Sequence, residues 1–144
     1  MTEEISFDAK GRLQWGRRAA GLLMRRGDGR VLLVLRSQEV LDPGVWGIPG
    51  GRIEPGYEAE DAAVQEALEE LGSLPAMKIS RKRNVYKSGG FQYTTFLALV
   101  PEKAAAAWEP TLNWENDEWG WFGLDALPSP LHPNVKKAIQ ELLS

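Results

Sequence analysis

The sequence predicts an α/β chain built as a three-layer sandwich, with a mixed, mostly antiparallel sheet between helices on its two sides. Three features carry this. Two pairs of strand-like runs are joined by short glycine turns, an uninterrupted helix-like run occupies residues 58–71, and a second amphipathic run closes the chain at 132–144. With 144 residues the chain suits one domain around one core, spanning 1–144.

The elements follow in order. "RAAGLLMRR" (18–26) and "VLLVLR" (31–36) are Leu- and Val-rich runs separated by "GDG", whose residues tolerate positive φ, so the pair reads as a hairpin. Residues 37–50 hold Pro43, Gly44, Gly47, Pro49 and Gly50 and read as a structured loop with room for a short strand. "EAEDAAVQEALEEL" (58–71) consists of helix formers, with acids in its first turn where the helix dipole favours them. Ala63, Val64, Ala67, Leu68 and Leu71 form its expected core stripe, and Gly72 stands where a left-handed cap belongs. "KISRKRNVY" and "FQYTTFLALV" flank "KSGG" as a second hairpin, and "EWGWF" (118–122) reads as a short strand. In the closing helix Pro133 fits the first turn, and Val135, Ala138, Ile139 and Leu142 line one side.

Composition narrows the class. Hydrophobic residues make up 43% and charged residues 26% of the chain, as in ordinary globular domains. The absence of cysteine excludes disulfides and thiolate metal sites. A net charge of −3 exerts no general pull on nucleic acid or anionic membrane, so no stable nucleic-acid complex is expected. The polar, acidic start does not read as a secretory signal, and no apolar run approaches the roughly 18 residues of a membrane span. A cytoplasmic protein is the expectation.

Charge is distributed unevenly. Residues 53–77 contain Glu54, Glu58, Glu60, Asp61, Glu66, Glu69 and Glu70 and no base, so the remainder of the chain is net positive. Helical spacing puts Glu66, Glu69 and Glu70 on one face, late in the helix, where like charges repel and the dipole is unfavourable. A solvated surface face would tolerate this, and a hard divalent cation would relieve it. Just before the helix, "WGIPGGRIEPG" (46–56) brings Gly47, Gly50, Gly51 and Gly56, and glycines let backbone approach a ligand closely.

Taken together, loop and helix resemble the Nudix hydrolase signature: Gly, five residues, Glu, seven residues, Arg-Glu, an aliphatic, any residue, Glu-Glu, any residue, Gly, an aliphatic. Gly51, Glu66, Glu69, Glu70 and Gly72 stand at matching positions. Tyr57 replaces the first glutamate, Gln65 the arginine and Ser73 the last aliphatic; Ala67 is a milder change. In the family that arginine holds a neighbouring glutamate and often pairs with the signature's first one, so Tyr57 and Gln65 read as one coordinated replacement.

The resemblance implies a Nudix-type α/β/α sandwich of the MutT-like kind that hydrolyses pyrophosphate bonds with Mg²⁺ or Mn²⁺. Glu66 and Glu70 would be metal ligands, with Glu69 a third ligand or a partner of a metal-bound water, joined by a carbonyl of Gly50 or Gly51, and Glu66 and Glu69 would also be among the catalytic groups. Glu118, just before "WGWF", is the expected outside base, and Glu115 the second choice. From their charge alone, Arg36, Arg52, Lys82 and Arg83 are candidates to meet phosphates, Arg36 and Arg52 first, with ordinary surface charge the other reading of each. Tyr93, Trp15 and Trp114 would stack a base, whereas Trp46 and Trp121 belong to the core. His132 caps or precedes the last helix and takes no part in catalysis. The substrate would be a small nucleotide, a nucleoside triphosphate first, with nucleotide sugars, ADP-ribose and dinucleoside polyphosphates open. A homodimer is also left open. A non-catalytic nucleotide-binding module on the same fold is the alternative.

Overall fold

The computed structural model describes residues 5–7, 13–15, 18–40 and 42–143. Strands β1 (Ile5–Phe7) and β2 (Leu13–Trp15) form a small antiparallel ladder. The main sheet has seven strands: β3 (Arg18–Arg26), β4 (Val31–Arg36), β5 (Trp46–Gly47), β6 (Gly50–Arg52), β7 (Lys78–Ser88), β8 (Phe91–Val100) and β9 (Asn116–Phe122). Its order is β5-β4-β3-β8-β7, with β6 added to β3 and β9 to β4. Among the strand pairs of the described residues, β3 and β8 alone run parallel and the others are antiparallel.

Helices lie on both faces, as the two amphipathic runs predict. On one face α1 (Ala59–Leu71) covers Ala20, Leu22 and Met24 of β3, Leu32 and Val34 of β4, and Phe96 of β8. On the other, Val135, Ala138, Ile139 and Leu142 of α3 (Pro133–Leu143) pack on Leu23, Val31, Leu33 and Leu97. Burial on both faces explains why β3 and β4 read as continuous apolar runs without alternation. Phe122 meets Trp46 edge to face, 5.1 Å between ring centres, under α3. Trp108, Trp119 and Trp121 cluster under α1.

Gly72 ends α1 in the left-handed conformation, φ 78°, and its N–H closes on the Leu68 carbonyl. The phase of α1 differs from the sequence expectation. Ala62, Ala63, Ala67 and Leu71 face the core, Leu68 is 41% exposed, and Glu70 is buried in the inward stripe. The three glutamates therefore do not share an outer face. Glu66 and Glu70 follow the 59-62-63-66-67-70 stripe to the sheet, whereas Glu69 is exposed beside Gln65. A short helix, α2 (Glu102–Ala106), occupies the alanine tract that gave no sequence signal. Among the described residues no helix is long and apolar enough to cross a membrane.

Candidate active site

Two adjacent glycines build the site. Glu66 lies against Gly51 so closely that a Cβ there would overlap its carboxylate oxygen and stand 2.7 Å from its carboxyl carbon. On the neighbouring residue the geometry is reversed. A Cβ on Gly50 would overlap the Tyr93 hydroxyl and come within 2.6 Å of the Ala20 carbonyl oxygen. Successive strand residues face opposite sides of a sheet. The Gly50–Gly51 dipeptide of β6 is thus a wall one residue thick, with carboxylates on one side and Tyr93 on the other.

Glu70 is tied to this wall. The Gly50 N–H donates to Glu70 Oε2 at 3.0 Å, and the Asn116 amide donates to Oε1 at 2.8 Å. The loop before β9 clamps the end of the helix as well: Thr111 N–H donates to the Leu71 carbonyl and Asn113 N–H to the Glu70 carbonyl. Asn113 also fixes Glu115, accepting its N–H and donating to its carboxylate, both at 3.0 Å.

The electrostatics describe an anionic site short of positive charge. Burial first, then the charges of Glu69, Glu115 and Glu54, raise the Glu66 pKa to about 7, with Arg52 opposing. Burial also raises Glu70 to about 7, against the hydrogen bonds from Asn116 and Gly50 and with help from Glu115 and Glu66. Both groups hold protons more tightly folded than unfolded, where 4.5 is ordinary. Their contribution to stability is therefore present below pH 4.5 and lost as pH rises toward 7. In a chelator, the melting temperature should fall across that window. Glu70→Gln should flatten the slope relative to wild type, and a saturating divalent cation should counter it by binding the deprotonated form. An unchanged slope in the variant would show that Glu70 titrates normally.

Does a divalent cation fit? Among the described residues no three acidic or histidine side chains converge as a finished cage. Mg²⁺, however, is usually held by one or two carboxylates together with waters and substrate phosphates. Glu66 and Glu70, oxygen donors in a half-dry site beside side-chain-free backbone, match that donor set.

On the other side of the wall lies a cavity of about 530 Å³. Tyr86, Phe91, Tyr93, Ile48 and Val135 give it an aromatic and aliphatic lining, and Arg36 and Arg52 reach its margin. Tyr93, Arg36, Arg52, Gly50 and Gly51 are thus brought together here. Burial raises the Tyr93 phenol well above its ordinary pKa, so it stays protonated. His132 Nδ1 accepts the Asn134 N–H at the start of α3, which leaves Nε2 to donate to Asp42 at 3.2 Å. With both ring nitrogens engaged, His132 is a helix cap.

Other residues fall elsewhere. Glu118 is exposed and pairs with Leu35 across the β9–β4 ladder; the alternation that sends Trp119 and Trp121 under α1 turns Glu118 to the opposite face. Glu115, not Glu118, is the outside carboxylate close enough to perturb Glu66 and Glu70. Gln65 donates to Glu69 at 3.2 Å, and Tyr57 is 55% exposed. Arg83 lies over the Phe96 ring at 4.9 Å, Lys82 is exposed on β7, and Trp114 is 64% exposed. The Trp15 side chain lies outside the described residues. Asn116 had no signal in the sequence, because nothing local marks an asparagine that reaches a helix 46 positions away.

Fold and site together give an α/β/α sandwich with one buried and one half-buried carboxylate on one side of a glycine strand and a cavity of about 530 Å³ on the other. The chain belongs to the Nudix family: residues 15–142 match the NUDIX domain. It is 34% identical over 119 residues to the "Putative 8-oxo-dGTP diphosphatase" of Bacillus subtilis, covering 77% of this chain and 75% of that protein. It is 33% identical over 141 residues to the "Putative 8-oxo-dGTP diphosphatase 3" of Mycobacterium tuberculosis (strain CDC 1551 / Oshkosh), covering 89% of this chain but only 63% of that protein. A crystal structure of a Nudix hydrolase from M. smegmatis, RenU, superimposes with a TM-score of 0.74 at 32% identity, covering 96% of this chain and 91% of that one.

Proposed function

We propose that the chain is a divalent-metal-dependent pyrophosphohydrolase of nucleoside triphosphates. The observation that carries the reading is the Gly50–Gly51 wall, which sets a nucleotide-sized cavity directly against the Glu66–Glu70 pair. A nucleoside in the cavity would rest against Tyr86, Phe91 and Tyr93, with Arg36 and Arg52 toward its phosphates. Its phosphate chain would then run over the glycine edge to the carboxylates. Glu66 and Glu70 would hold Mg²⁺ or Mn²⁺, joined by a carbonyl of Gly50 or Gly51, whereas Glu69, exposed beside Gln65, would lie outside that set. The metal supplies charge neutralisation at the phosphates and an activated water. The chain itself orients the carboxylates, places the nucleoside and offers a carboxylate as base. Both relatives' names point to a deoxynucleoside triphosphate, which favours this class over nucleotide sugars and ADP-ribose.

The test is product analysis over a panel of nucleoside triphosphates (8-oxo-dGTP included), nucleotide sugars and ADP-ribose, with Mg²⁺ and with Mn²⁺. Release of a nucleoside monophosphate and pyrophosphate from a triphosphate is expected. Nucleotide binding by calorimetry without turnover of any panel member would make the chain a binding module instead. The outside base is tested separately. Glu115→Gln should lower kcat by about 10²–10⁴-fold, the usual loss on removing a general base. Glu118→Gln, on the far face, should change it less than about threefold, below that range. The reverse order would return the role to Glu118.

A further inference from the structure

We infer that Asn116 is a positioning residue for the metal site, holding the Glu70 carboxylate in its ligating orientation; this rests on Glu70 being a metal ligand. Asn116 is 5% exposed, and its amide meets Glu70 Oε1 at 2.8 Å in the core under α1. A break in the strand register puts it there. β9 pairs Glu118 with Leu35 and then Asn116, not Asp117, with Arg36. Strict alternation from Trp119 would turn Asn116 to the α3 face; the extra residue returns it to the α1 face, where Glu70 lies. Re-aiming one side chain beside a site is a recurrent use of such bulges.

The chemistry of the contact suits the role. A carboxylate offers about four lone-pair positions, two on each oxygen. Gly50 takes one on Oε2 and Asn116 one on Oε1, leaving one free on each for a cation. Both donors are neutral. An arginine or lysine at 116 would hold the carboxylate equally well but would cancel the charge a cation needs. Because Asn113 N–H also holds the Glu70 carbonyl, one loop fixes both the backbone and the side chain of this residue.

The experiment is a double-mutant cycle read by binding of Mn²⁺ alone, followed by electron paramagnetic resonance of the free ion, in protein without nucleotide. Asn116→Leu keeps the side-chain shape and removes the donor. Asn116→Ala removes it without added bulk, and serves if the leucine variant lacks a native circular dichroism spectrum. Loss of an outer hydrogen bond to a metal ligand typically weakens affinity by about 10–100-fold. That loss is expected in the wild-type background and should vanish in Glu70→Gln, because Asn116 acts through Glu70. In turnover assays the loss should appear as a raised Mn²⁺ requirement, with the nucleotide KM at saturating Mn²⁺ unchanged. If Glu70→Gln itself binds Mn²⁺ normally, Glu70 is not a ligand and the underlying reading fails. If Glu70→Gln weakens binding but Asn116→Leu does not, or weakens it equally in both backgrounds, only the positioning role is overturned.

Discussion

Glu70→Gln is expected to lower nucleoside triphosphate turnover by about a thousandfold or more while the protein stays folded. The size follows from the role: a metal that neutralises phosphate charge is worth several kcal/mol of barrier, and each 1.4 kcal/mol is a factor of ten. The fold survives because glutamine keeps the shape and can still be satisfied. Its carbonyl can accept from Gly50, and its amide can face an Asn116 side chain turned over to present oxygen. Removing a buried charge that no cation neutralises in the metal-free protein should, if anything, raise the melting temperature in chelator. Loss of turnover and retention of stability are thus expected in the same variant. Near-normal turnover at saturating Mg²⁺ would remove Glu70 from the ligand set. Lost turnover with a collapsed melting temperature would instead make Glu70 a structural residue.

Legibility in the sequence followed the range of the interactions. Strands β3, β4, β7 and β8 and helices α1 and α3 were readable because burial and turn chemistry write themselves into neighbouring residues. His132 was readable as a cap because Pro133 fixes the helix start beside it. The phase of α1 was not. Leu68 looks like a core residue and Glu70 a surface one, yet the cost of burying Glu70 is offset by donors from β6 and β9, both distant in sequence. The same limit hid Asn116, whose direction depends on a bulge that only strand pairing creates. Glu118 shows the converse: its place before "WGWF" suggested a site residue, but strand alternation decides its face. Gln65 turned out to have a partner of its own in Glu69, one helical turn away.

The glycine wall makes two adjacent substitutions behave differently, although each adds one methyl group. Gly51→Ala should leave stability within about 1 kcal/mol of wild type. The fewer conformations of the unfolded alanine chain favour folding, and the only group the new Cβ overlaps is the far end of the Glu66 side chain. That side chain can swing away, but in doing so it leaves the site. Turnover should fall at least about a hundredfold, since a misplacement near 1 Å can cost that much, and Mn²⁺ affinity should fall with it. Gly50→Ala meets backbone instead: the Ala20 carbonyl oxygen at 2.6 Å and the Gly21 Cα at 2.8 Å, besides the Tyr93 hydroxyl. β3 and β6 are paired at these residues, so neither strand can retreat without breaking the ladder. Overpacking of this kind costs about 1–3 kcal/mol, which lowers the melting temperature by several degrees. Tyr93→Phe in the Gly50→Ala background removes one of the three overlaps and should restore stability only in part. Thermal melts and Mn²⁺ titrations of the two alanine variants decide the matter. If Gly51→Ala melts as low as Gly50→Ala, or keeps full turnover, Glu66 does not rest on β6 and the wall between cavity and carboxylates is not there.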